Sequence, residues 1–174
     1  MSLIQTFEAR YKKGGVYISE SDNLMELLDR GFGTLRGKKL FLSSYEAFFL
    51  TEKGRITVLD EEDGPTLSLH ELVKRLSMGK QEIWIRYLVY RDLRDRGYIV
   101  RETVKVDFEI HGKGAERRLV SIVYEGGEAS LQKLSVLLRY AAKQKKELIL
   151  AVIDRRTDLV YYSVGEMEFR KPRV

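Results

Sequence analysis

Apolar and polar positions alternate along this chain in short strand-like runs separated by amphipathic helical stretches. Gly15-Val16-Tyr17-Ile18 predicts a strand, and Ser21 or Asp22 can cap a helix through Arg30 with Leu24, Leu27 and Leu28 on one face. Lys39-Leu40-Phe41-Leu42 predicts a second strand. Ser43 then stands three residues before Glu46, the capping-box arrangement that opens a helix over Ala47-Phe48-Phe49-Leu50 and ends by Gly54. Ile56-Thr57-Val58-Leu59 predicts a strand, Asp60 to Pro65 a solvated acidic turn, and Ser68 with Glu71 a second capping box before Leu69, Leu72, Val73 and Leu76.

Ser77-Met78-Gly79-Lys80 interrupts the helical period, which places a domain boundary there and divides the chain into residues 1–79 and 80–174. In the second part Ile85, Leu88, Val89 and Leu93 make one helical stripe. Arg86, Arg91, Arg94 and Arg96 alternate with Asp92 and Asp95 around the rest, a solvated surface with local ion pairs. Gly97 stops that helix. Tyr98–Glu102, Lys105–Ile110 and Arg118–Tyr124 read as strands, the last two joined by a turn at His111 to Gly114. Ser130 can cap a helix carrying Leu131, Leu134, Leu138 and Ala141, with Lys143, Lys145 and Lys146 at its carboxy-terminal end, where the helix dipole favours cations. A continuous apolar strand, Leu148–Ile153, follows, then a turn from Asp154 to Asp158, a strand over Leu159–Val164, and a further strand candidate at Met167-Glu168-Phe169. The class is α+β: a small amino-terminal α/β domain, then a domain with a mixed sheet flanked by helices.

Composition narrows the chemistry. The 174 residues include no cysteine and two histidines, His70 and His111, so no disulfide, thiolate site or zinc constellation is expected, nor any cofactor. Neither a membrane-spanning apolar run nor a signal sequence stands out, and a cytoplasmic protein is expected. The net charge of +5 favours an acidic partner such as RNA, though an excess of that size also serves solubility.

Several runs, in order, resemble the archaeal tRNA-splicing (tRNA-intron) endonucleases. Tyr87 to Tyr98 is similar to the family's YLVYRDLRxRGY helix-to-strand junction, and Lys145 to Asp154 to its KKLxLAVxD strand. Gly31-Phe32-Gly33-Thr34-Leu35 with Leu42 to Leu50 resembles the amino-domain signature, Val106-Asp107-Phe108 the carboxy-domain ADF, and Asp154 to Tyr162 the DxxxDxxYY hairpin. The resemblance implies metal-independent cleavage of precursor tRNA at a bulge-helix-bulge junction, with the ribose 2′-hydroxyl as nucleophile and a 2′,3′-cyclic phosphate as product. The family performs it with a tyrosine, a histidine and a lysine.

Carried onto this chain, the tyrosine position falls on Val104 and the histidine position on Ala115, and Lys146, with Lys145 beside it, keeps the lysine position. Neither Val104 nor Ala115 exchanges a proton, and the resemblance therefore implies a structural subunit of a heterotetrameric enzyme, partnered by a catalytic endonuclease chain. One alternative is an active homomeric endonuclease in which His111, delivered by a shifted loop, works with Lys146. Another is a metal-dependent nuclease using Asp107 and Glu109, which share one side of a strand but lack a further acid at suitable spacing. For assembly, the resemblance implies an acidic loop, to which Asp154 and Asp158 correspond unless they serve only the turn. Tyr161, Tyr162, Val164 and Phe169 suit a sheet edge that another chain completes.

Overall fold

A computed structural model describes residues 6–19, 24–61, 64–112, 116–127 and 130–165, in two compact units, Met1–Arg91 and Asp92–Val174. The architecture is mixed α+β, with one mixed sheet in each unit. The Gly79 boundary expected from the pattern falls between two helices, while the units divide inside the second of them.

The first unit contains β1 (Phe7–Lys12), β2 (Gly15–Ser19), α1 (Leu24–Asp29), β3 (Thr34–Arg36), β4 (Lys39–Leu42), α2 (Ser44–Glu52), β5 (Ile56–Asp60), β6 (Thr66–Leu67) and α3 (Leu69–Ser77). Its sheet runs β3-β4-β2-β1-β5-β6, antiparallel except for the β1–β5 pair. Strand alternation sends Phe7, Ala9, Val16, Ile18, Leu40, Leu42, Ile56 and Val58 into the core. Both capping boxes form: the Glu46 and Glu71 carboxylates accept from the Ser43 and Ser68 N–H groups at 2.8 Å, and each serine hydroxyl accepts in return. Gly33, at φ +71°, is required by a close approach, since a Cβ there would meet Leu40 Cδ1 at 2.6 Å.

Two local outcomes differ from the expected pattern. β1 and β3 are additional strands; β1 alternates Phe7, Ala9 and Tyr11 with Glu8, Arg10 and Lys12, and β3 is three exposed residues held only by pairing with β4. Asp60 is buried rather than solvated, as its carboxylate accepts from the Arg75 guanidinium while its backbone closes the turn to Gly64. The capping residues expected at Ser21 or Asp22 lie outside the described residues.

A left-handed Met78, at φ 48°, ends α3, and α4 (Gln81–Asp95) follows. The Tyr87 and Tyr90 rings pack on Phe48, Tyr45 and Phe49 of α2, at 5.4, 5.8 and 6.1 Å between centroids. Arg91 extends the contact through Glu52 at 3.0 Å. The buried surface of α4 is therefore wider than its aliphatic stripe.

The second unit contains β7 (Ile99–Glu102), β8 (Phe108–His111), β9 (Arg118–Tyr124), α5 (Leu131–Lys143), β10 (Glu147–Ile153) and β11 (Leu159–Val164). Its sheet runs β11-β10-β9-β8-β7; only β9 and β10 are parallel, joined by the α5 crossover. One sheet face meets α5 through Val106, Leu119, Ala141 and Leu148, with Leu134, Leu137 and Leu138 beside them. β8 starts at Phe108 rather than Lys105, because the Thr103 hydroxyl donates to the Val106 carbonyl at 2.6 Å and accepts its N–H at 3.2 Å, closing a turn.

Candidate functional site

Lys146 owes its position to the way α5 ends. The Lys145 and Lys146 N–H groups donate to the Ala142 and Ala141 carbonyls at 3.0 Å, with Lys145 left-handed at φ 54°. The chain turns directly into β10, and Lys146 Nζ donates to Glu109 Oε2 at 2.8 Å. These side chains are 20% and 19% exposed, and Arg117 reaches the other Glu109 oxygen at 3.3 Å. Register explains the pairing: Glu109 faces Leu119, Leu119 faces Leu148, and the carboxylate thus stands on the α5 side of the sheet near the helix end. Sequence alone suggests Glu109 only as a metal ligand; its alternation with the apolar Phe108 and Ile110 on β8 is the available signal for this cation partnership.

Val104 is fully exposed at the tip of the Thr103–Val106 turn. Its neighbour Lys105 lies over the Tyr140 ring at 4.9 Å. Ala115 lies outside the described residues. His111, half-buried at the end of β8 and paired with Ile99, shares the strand face of Glu109, two residues away. His70 is exposed on α3.

Asp107 and Glu109 do not converge on a common point. The Asp107 carboxylate accepts the Ile122 N–H at 2.7 Å, extending the β8–β9 ladder with a side chain, while Glu109 is engaged by two cations. Among the described residues, no group of three or more histidine, cysteine or acidic side chains is arranged to hold a metal ion.

The assembly candidates separate by strand face. Asp154 Oδ1 accepts from the Arg156 and Asp158 N–H groups at 2.8 and 2.9 Å, so its carboxylate shapes the β10–β11 turn; Asp158 is exposed. The Tyr161 hydroxyl donates to Asp92 Oδ2 at 2.7 Å, and the Arg96 guanidinium, bound to the same carboxylate, lies 5.4 Å from the Tyr161 ring centre. Burial, then the bond to Asp92, pushes the Tyr161 hydroxyl pKa well above its ordinary value. Tyr162 and Val160 face the other way and are 54% and 49% exposed; Val164 is half-buried. Beside them, a cleft of about 310 Å³ runs under the first turns of α5, lined by Val123, Leu131, Leu134, Leu150 and Val152. Phe169 lies outside the described residues.

Residues 7–73 match the family model of the tRNA intron endonuclease N-terminal domain, and residues 83–161 that of the tRNA intron endonuclease catalytic C-terminal domain. The chain is 39% identical over 165 residues to a tRNA-splicing endonuclease of Pyrococcus furiosus, covering 91% of this chain and 96% of that protein. It is 36% identical over 159 residues to the tRNA-splicing endonuclease of Pyrococcus abyssi, covering 88% and 92%. A tRNA-splicing endonuclease of Methanococcus vannielii is 29% identical over 171 residues, covering 94% and 96%.

Proposed function

The chain belongs to the tRNA intron endonuclease family, and we propose that it serves there as the structural subunit of a heterotetrameric tRNA-splicing endonuclease. Its catalytic partner chain cuts precursor tRNA at intron boundaries and leaves a 2′,3′-cyclic phosphate. Attack by a ribose 2′-hydroxyl needs a group to take its proton, a group to protonate the leaving oxygen, and a cation beside the phosphorane. The observation that carries the proposal is the full exposure of Val104, an aliphatic group unable to transfer a proton, at the position where the sequence resemblance implies the family's tyrosine. Lys146 supports it. Its ammonium is held by Glu109, and that neighbouring carboxylate opposes the stabilisation of negative charge on a phosphorane. In this role the chain positions its partner and adds to the RNA-binding surface.

Lys146→Ala tests the proposal within the mixed complex. Cleavage at saturating enzyme is expected to stay within about threefold of the unmodified rate, because catalysis resides in the partner chain. A single-turnover rate lower by several orders of magnitude, with assembly intact, would show that Lys146 acts in an active site.

His111 supports a second reading, an active homomeric endonuclease, because it shares a strand face with the carboxylate that holds Lys146. There, His111→Ala abolishes cleavage by the isolated chain.

A further inference from the structure

The first unit leaves one face of its sheet open. The core-facing side of β1, β2, β4 and β5 is buried, whereas the other side presents Glu8, Arg10, Lys12, Arg36, Lys39, Phe41 and Thr57 to solvent, around Tyr17. Among the described residues no helix covers it.

Register brings the outward groups together. Phe41 pairs with Tyr17 on one side and Thr34 on the other, and Lys39 pairs with Ser19 and Arg36. Lys39 Nζ stands 4.0 Å from the centre of the Tyr17 ring, and the Tyr17 and Phe41 ring centres are 5.9 Å apart. The Tyr17 hydroxyl donates to Glu61 at 2.8 Å, and Lys12 binds the same carboxylate at 2.8 Å, so Tyr17 is fixed in place. Phe41 is 36% exposed, with the Arg36 guanidinium 5.6 Å from its ring centre.

Among the described residues, charge on this face is one-sided. Glu8 and Glu61 are each matched by a cation, Arg10 at 3.1 Å and Lys12 at 2.8 Å, while Arg36 and Lys39 lie over aromatic rings. Lys13, in the β1–β2 turn, adds positive charge at one end of the strands. An exposed ring beside a guanidinium offers a base two planar surfaces on which to stack, and the surrounding ammonium groups suit phosphates. A duplex keeps its bases stacked on one another, so such a face favours unpaired nucleotides.

We propose that the open β4–β2–β1 face of the first unit is a second RNA-binding surface, which holds single-stranded nucleotides by stacking on Phe41 and Arg36 and by phosphate contacts to Lys39 and its cationic neighbours. It lies wholly within the first unit, whereas Lys146 belongs to the second. This surface contacts RNA whether or not the chain itself cuts RNA.

The test is fluorescence anisotropy of the intact chain with a labelled single-stranded oligouridine dodecamer, over a range of salt concentrations and beside a matched RNA duplex. Phe41→Ala is expected to weaken single-strand binding about tenfold, in line with the loss of one stacked base, and to leave the salt dependence unchanged. The doubly substituted Arg36→Gln, Lys39→Gln chain is expected to weaken binding and to reduce the slope of log affinity against log salt by about 0.7 for each phosphate that is no longer neutralised. Both arginine and lysine are surface side chains, so this variant carries the test even if Phe41→Ala fails to fold. Circular dichroism confirms the fold of each. The proposal is overturned if the wild-type chain does not bind the dodecamer, or if folded variants bind it as the wild type does. It is equally overturned if the substitutions abolish association with another protein chain in sedimentation and leave RNA binding intact, which makes the face a protein interface. Cleavage by the isolated chain bears on the subunit role alone and leaves this binding test unaffected.

Discussion

Tyr161 shows how one side chain departs from what its position on a strand suggests. An aromatic residue at a late sheet edge reads as surface for a partner, yet its hydroxyl is turned inward onto Asp92, under the Arg96 guanidinium. Burial, reinforced by Asp92, raises its pKa above the ordinary 10.0, so the folded state favours the protonated phenol. The stability this contributes is fully present below pH 10 and is lost as pH rises above it, because the unfolded chain ionises first. Tyr161→Phe should therefore cost about 1 to 2 kcal/mol at neutral pH through loss of the hydroxyl–carboxylate bond. The gap to wild type should narrow above pH 10, as read by urea unfolding on either side of that value. Lys146 departs in a comparable way, since Glu109 occupies the ammonium that the family motif alone would leave for chemistry. Side-chain pairings of this kind join residues 37 and 69 positions apart, and local periodicity carries no trace of them.

At the level of elements, most helices and strands were legible because their caps and alternation are local properties. Ser43 and Ser68 announce α2 and α3 through capping boxes that both form. β1 escaped because its inward residues include a small alanine amid three charged neighbours, and β3 because three exposed residues have no pattern of their own. The aliphatic stripe of α4 was visible, but its buried tyrosines depend on the aromatic residues of α2. β11 carries the residues expected to serve assembly. Among the described residues it pairs only with β10, and its Val160 and Tyr162 stand beside the apolar cleft under α5. If a partner chain completes the sheet at this edge, as the sequence leads one to expect, Tyr162→Lys should weaken association with the catalytic chain by at least tenfold while leaving the circular dichroism spectrum unchanged. Light scattering on the mixture reads the loss directly, and full association of the folded variant would remove β11 from the interface.

Across the whole molecule, both units match their family domains, and the order of motifs from Gly31 to Tyr162 was enough to identify the family. For the candidate site the motifs point only to positions, Lys146 and Val104, whose roles await the substitutions proposed above, while the Glu109 and Arg117 contacts emerge only when β8, β9 and β10 pair. The open aromatic and basic face of the first unit was hidden for the same reason, since Tyr17, Arg36 and Phe41 come from three strands. The central claim is that this chain keeps the fold of a splicing endonuclease without the groups that move protons. Incubation of the purified chain alone with a bulge-helix-bulge precursor tRNA, with end-group analysis of any product, tests it most directly. No cleavage by the chain alone, and cyclic-phosphate ends once a catalytic chain is added, is the predicted result; efficient cleavage by the chain alone, abolished by His111→Ala, would contradict it.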